Sequence, residues 1–195
     1  MIMIVVATPR SGGTNFCFEL AKKYNKPFHG EISSAYLKGS GLDNYKQRAH
    51  EIPNSQPDYD DSTFAQMLDG TLEGIFLVNK AQYLYAPRAH FIILRDPANV
   101  LMSMADGLKK AYPSIPVELI CQFISVVFED MYGLVTYCLE AKKKVIWFEE
   151  YYRSYGDTPI EYLSNEEDRA IQVFARRLIK RSDIAQKMML LKNNS

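Results

Sequence analysis

The chain has too few cysteines to staple it: Cys17, Cys121 and Cys138 are an odd, scattered set in 195 residues, with neither redox-pair nor metal-ligand spacing. That usage excludes a disulfide framework and points to a reducing, cytoplasmic setting. It also has no excess of either charge, since 23 Lys and Arg balance 23 Asp and Glu. A duplex-nucleic-acid binder carries a basic surplus, so no nucleic-acid partner is expected. No uninterrupted apolar run approaches the ~20 residues that span a bilayer, so no membrane partner is expected either. Residues 1–8 are too short for a signal-peptide core and run directly into a glycine loop. Internal repeats and low-complexity tracts are absent.

What is present reads as one domain, residues 1–195, long enough to bury a core without staples. Residues 2–7 are a continuous apolar run, as in a strand buried on both faces. Residues 14–25 turn helical, with Phe16, Leu20 and Tyr24 on one face and Pro27 beyond the end. Residues 33–61 lack periodicity and are rich in Gly, Asn, Ser, Pro and Tyr. A stretch of that length inside one domain predicts a lid or an acceptor-binding excursion. A short helix is expected at 62–68, strands at 74–78, 90–94 and 144–148, and helices at 99–109, 117–141 and from about 158 onward. Strands alternating with helices predict an α/β fold of three layers with a mainly parallel sheet, of the P-loop NTPase-like kind.

The most informative stretch is VVATPRSGGTNF, residues 5–16, in which a strand turns through glycines into a helix. Such a turn aims backbone amides into one concavity, and the helix dipole adds positive potential for a phosphate or similar oxyanion. The Walker pattern G-x-x-x-x-G-K-[ST] laid over residues 7–14 keeps Gly12 and Thr14 but has Ala7 for the first glycine and Gly13 for the lysine. Arg10 is then the cation of the loop. A plain turn followed by a helix cap is the alternative at this point.

A second motif follows in FIILRDPANVLMSM, residues 91–104, where Arg95 closes a strand and Ser103 stands eight residues on. Together with PRSGGTNF it resembles the sulfotransferase superfamily, whose donor is 3′-phosphoadenosine 5′-phosphosulfate, PAPS. HGE at 29–31 is similar to the catalytic segment of the tyrosylprotein and carbohydrate branches, FLVNK at 76–80 to a strand-Asn-Lys segment of the former, and VIWFEEY at 145–151 to a strand-Tyr-Glu segment. The resemblance covers residues 2 to about 151. The chain departs from it at Gly13, where threonine is usual, at Ile32 in place of a second glutamate, and in its short length.

The resemblance implies a PAPS-dependent sulfotransferase without a metal. Arg10, Ser11, Gly12, Gly13, Thr14 and Asn15 would bind the phosphosulfate, and Arg95 with Ser103 the 3′-phosphate. Glu31 would be the catalytic base, with His29 as its substitute, and Lys80 and Arg10 would balance charge at the transferring group. The acceptor would be a small molecule, a glycan or a peptide. Three alternatives accompany this reading: a P-loop small-molecule kinase with Asp96 as a displaced metal-holding aspartate, a non-catalytic nucleotide-binding member of the same fold, and RNA contact through the basic segment 175–181. The oligomeric state is not written in the sequence.

Overall fold

The computed structural model describes residues 1–31, 66, 67, 69–79, 85–151 and 166–193. The excursion expected at 33–61, most of the helix expected at 62–68, and Lys80 lie outside these residues. Five strands form one sheet: β1 (Ile2–Ala7), β2 (Phe28–Glu31), β3 (Gly74–Val78), β4 (Phe91–Leu94) and β5 (Ile146–Trp147), in the order β2-β3-β1-β4-β5. Every pairing is parallel. The helices are α1 (Gly13–Tyr24), α2 (Pro97–Ala111), α3 (Val117–Glu140), α4 (Phe148–Tyr151), α5 (Glu166–Arg181) and α6 (Ile184–Asn193).

The continuous apolar runs form strands because both faces of the sheet are covered. Met3, Val5 and Ala7 face α1 with Ile75, Leu77 and Ile93, against Phe16, Cys17 and Leu20. The alternate residues Ile4, Val6, Phe76, Val78, Ile92 and Leu94 face the core formed with α2, α3, α5 and α6. The result is the three-layer α/β fold read from the sequence. Each fully buried aliphatic or aromatic side chain contributes about 1.5–3 kcal/mol, so the two apolar faces fix the register of the central strands.

Two boundaries near the site differ from the sequence reading. α2 starts at Pro97 rather than residue 99, because the Asp96 carboxylate caps it, accepting from Ala98 N at 2.9 Å and Asn99 N at 3.2 Å. Proline suits the first helical position, where its missing N–H costs nothing. β5 shrinks to two residues, since Phe148 already begins α4. α3 is long and apolar enough by composition to cross a membrane, with a mean hydropathy of 1.4 over an 18-residue window. Glu118, Glu129 and Asp130 interrupt its apolar run, which is why a search for unbroken stretches passes over it.

β1 lies mid-sheet. The chain leaves it for the β2–β3 side and later returns from β3 to β4 on its other side. That reversal opens a crevice at the carboxyl ends of β1 and β4, the place where open α/β sheets bind ligands.

Candidate functional site

The loop after β1 is a tight turn held to the sheet. Thr8 N donates to Ile93 O at 3.1 Å, continuing the ladder, and Ser11 N donates back to Thr8 O at 3.2 Å. The Ser11 hydroxyl donates to the same carbonyl. Pro9 pre-sets the first central position of this turn, and Arg10 takes the second with φ 62°. A non-glycine residue in that left-handed region costs roughly 1–2 kcal/mol, so something must hold it there.

Two of the residues singled out in the sequence do so. Arg95 Nη1 donates to the backbone carbonyl of Arg10 at 2.7 Å, and Arg10 Nε donates to Ser103 Oγ at 3.0 Å. Charge-assisted bonds of this kind are among the stronger protein hydrogen bonds. Arg95, which is buried, also lies 4.4 Å from the centroid of the Phe148 ring. The next residue is fixed as well, since Asp96 N donates to Glu149 Oε1 at 2.7 Å. The short helix α4 thus braces the turn that carries Arg95.

Gly12, with φ 72°, is the N-cap of α1 and brings no side-chain cap of its own. The first turn of an α-helix has no intrahelical acceptors for its amides, and its positive dipole end favours an anion. No acidic residue sits in that first turn, while Lys22 and Lys23 complement the far end. Gly13 answers a packing demand. A Cβ there would stand 2.8 Å from Leu77 Cδ1 and 2.9 Å from Ala7 Cβ. The side chain that the family resemblance asks for at this position would therefore push α1 off the sheet.

These parts line one cavity of about 360 Å3. Arg10, Gly12, Gly13, Thr14 and Asn15 form one side and Arg95 with Ser103 an adjoining one, so the two motifs converge. Ser11 is fully buried beneath the turn and acts on its shape. Among the wall residues that the sequence reading did not single out are Thr8, Asn79, Asp130 and Phe148. Thr8 is buried, and its Oγ1 has no hydrogen-bond partner among the described residues. A buried hydroxyl beside an amide-rich turn fits an anionic ligand, since leaving it unbonded is costly. Asp130 had no local motif; only its place on the cavity-facing stripe of α3 identifies it.

The remaining residues divide. The backbone of Glu31 pairs with Leu77, a wall residue at the carboxyl end of β3, so it lies on the loop's edge of the sheet. Two strand spacings separate it from β1, roughly 10 Å. His29, the substitute base, is corrected by its surroundings. Its Nε2 donates to Glu73 O at 2.8 Å, at the opposite edge of the sheet, and its ring stacks on Phe76 at 4.8 Å. Burial pushes its pKa below the ordinary 6.5. His29 is a core residue, facing away from the loop. Asp96 likewise serves as a helix cap, which explains its position without a metal.

In one cavity the described residues thus gather two guanidinium groups, the N-terminus of α1, a buried hydroxyl and the Asp130 carboxylate. Compared with known protein families and with curated protein sequences, the chain matches none.

Proposed function

We propose that the chain is a sulfotransferase that moves a sulfuryl group from PAPS to an acceptor hydroxyl. The observation that carries this reading is the convergence of Arg10, Arg95 and Ser103 on one cavity at the carboxyl edge of the sheet. A donor with a phosphosulfate and a separate 3′-phosphate matches a site with two cationic groups from distant parts of the chain. The fit is supported by the buried Thr8 hydroxyl, which an anionic oxygen would satisfy.

In this reading the amides of the first turn of α1 and Arg10 hold the phosphosulfate, and Arg95 with Ser103 holds the 3′-phosphate. The acceptor oxygen attacks sulfur in line, and the bond from sulfur to the bridging phosphate oxygen breaks. The electron pair leaves with the 3′,5′-bisphosphate product, PAP, and the hydroxyl proton passes to Glu31. Positioning and electrostatic stabilisation supply most of such a rate enhancement. A general base contributes typically ~10²–10⁴-fold. Lys80 balances charge on the departing oxygen.

Two local features favour this over a small-molecule kinase. Gly13 supplies no ammonium for a triphosphate, and the Asp96 carboxylate is committed to capping α2. Thermal denaturation with PAP or with ATP and magnesium separates the readings. Saturating PAP at 100 times its Kd would add about 2.7 kcal/mol of stability. Arg95→Ala is expected to abolish most of that gain. A shift with ATP and magnesium but none with PAP would refute the sulfotransferase. PAP binding without a sulfated product from PAPS and an acceptor panel would make the chain a binding module.

A further inference from the structure

We infer that Arg95 is a positioning residue for the anion loop: by holding the carbonyl of Arg10 it sets the affinity of the loop for an oxyanion that its own guanidinium does not touch. What this means for PAPS rests on the sulfotransferase reading; the clamp rests on contacts within the protein.

The ends of the turn are held locally. Thr8 N donates to Ile93 O, and the carbonyl of Thr8 accepts from both Ser11 N and the Ser11 hydroxyl. Two residues of the segment lie in the left-handed region, Arg10 at φ 62° and Gly12 at φ 72°. Glycine enters that region at no steric cost, whereas a residue with a Cβ does not. The chain thus keeps a side chain at a position where glycine would be at ease. That side chain has a use there, since its Nε donates to Ser103 Oγ at 3.0 Å.

The offset comes from the end of β4. Arg95 Nη1 donates to Arg10 O at 2.7 Å from 85 residues away. The peptide joining Arg10 to Ser11 is planar, so fixing its carbonyl also fixes its N–H, the one that closes the turn on Thr8 O. From that peptide the chain passes through Gly12 into the first amides of α1. One bond from Arg95 therefore holds the strained residue and the peptide that leads into the anion-facing end of the helix.

Arg95 can act as a fixed post because it is itself held. It is buried, its guanidinium lies over the Phe148 ring, and Asp96 N donates to Glu149 Oε1 on the same short helix α4. A guanidinium has five N–H donors, so clamping the loop with one does not conflict with a second role at a phosphate. In the sulfotransferase reading one side chain then holds the 3′-phosphate and keeps the loop ready for the phosphosulfate. Without the clamp the loop relaxes, and its apparent affinity falls with the fraction of molecules that retain the left-handed turn.

The test crosses Arg10→Ala and Arg10→Gly with Arg95→Ala in the full chain. Both Arg10 variants lack the guanidinium and differ only in their ease at positive φ, so the cycle isolates the backbone. The probe is inorganic pyrophosphate, followed by NMR at the Gly12 and Gly13 amides, which reports both affinity and place. With Arg95 present, the two Arg10 variants are expected to bind within about twofold of each other. With Arg95→Ala, Arg10→Gly is expected to bind about five- to thirtyfold more tightly than Arg10→Ala. Arg95→Met keeps the length of the side chain without a donor, carries the same expectation, and stands in if Arg95→Ala does not fold. Equal affinities of the two Arg10 variants once Arg95 is replaced would overturn the clamp and leave Arg95 a ligand contact alone. A gap between them as large with Arg95 as without it would overturn it too, as would pyrophosphate that shifts neither glycine amide in the parent. PAP titrated in parallel keeps the two readings apart. A pyrophosphate cycle that behaves as expected, with no binding of PAP, supports the clamp and refutes the sulfotransferase.

Discussion

Replacing Gly13 with alanine tests how tightly α1 sits on the sheet, and the expected cost can be worked from distances. The new Cβ would lie 2.8 Å from Leu77 Cδ1, 3.3 Å from Leu77 Cδ2 and 2.9 Å from Ala7 Cβ. Carbon atoms rest at about 3.5–4.0 Å, so the two shortest contacts overlap by more than about half an ångström. Leu77 can swing away at a rotamer cost of ~0.5–1.5 kcal/mol. Ala7 cannot, because its Cβ is fixed to β1, which is hydrogen-bonded to β3 and β4 on either side. α1 must therefore lift. Overpacking of this kind typically costs ~1–3 kcal/mol, and the helix preference of alanine over glycine returns ~0.5–1 kcal/mol. The expected net loss is about 1–2 kcal/mol, or about 2–8 °C in Tm for a chain of this size. Urea denaturation measures it, and Ala7→Gly in combination supplies the decisive arm. Moving the methyl from one side of the contact to the other should recover ~1 kcal/mol relative to additivity. Equal or greater stability of Gly13→Ala, or a strictly additive cycle, would refute the close contact and with it the reason for glycine here.

Two further outcomes follow from the described groups. Asp96→Ala removes the cap of α2 and should cost ~0.5–2 kcal/mol in urea denaturation, with Asp96→Asn largely retaining stability. For His29, burial lowers the folded-state pKa below 6.5, so the unfolded chain binds the proton more readily. Its contribution is complete above pH 6.5 and is lost as pH falls from there through the folded-state value. The difference in urea midpoint between pH 7.5 and pH 5.5 should therefore shrink in His29→Gln, and an unchanged difference would refute a buried neutral ring.

How much of this site was legible follows from where each signal resides. The strands were readable because both faces of a parallel sheet are buried, which leaves continuous apolar runs at Ile2–Ala7, Gly74–Val78 and Phe91–Leu94. The loop was readable because a proline, a glycine cap and a strand–helix junction are local requirements. Ser103 was picked out through the family resemblance alone; in the fold it lies on α2, which begins two residues after Arg95. The contact between Arg95 and the loop was legible only as an expectation borne by family resemblance. Its acceptor is the backbone carbonyl of Arg10, and every residue type presents that same atom. What sequence can register is the consequence: a non-glycine residue in a left-handed turn needs support, and a buried guanidinium needs acceptors. One bond meets both needs. Asp130 and the apolar face of α3 were hidden for a different reason. Their stripe has the spacing of an ordinary core helix, and only the neighbouring α2 decides which part of it is core and which part lines the cavity. His29 was offered only as a substitute for Glu31, and its surroundings were not legible because they are set by Glu73 and Phe76, more than forty residues away. Short motifs report on the atoms that a ligand would meet, and long-range packing decides whether those atoms face a ligand at all.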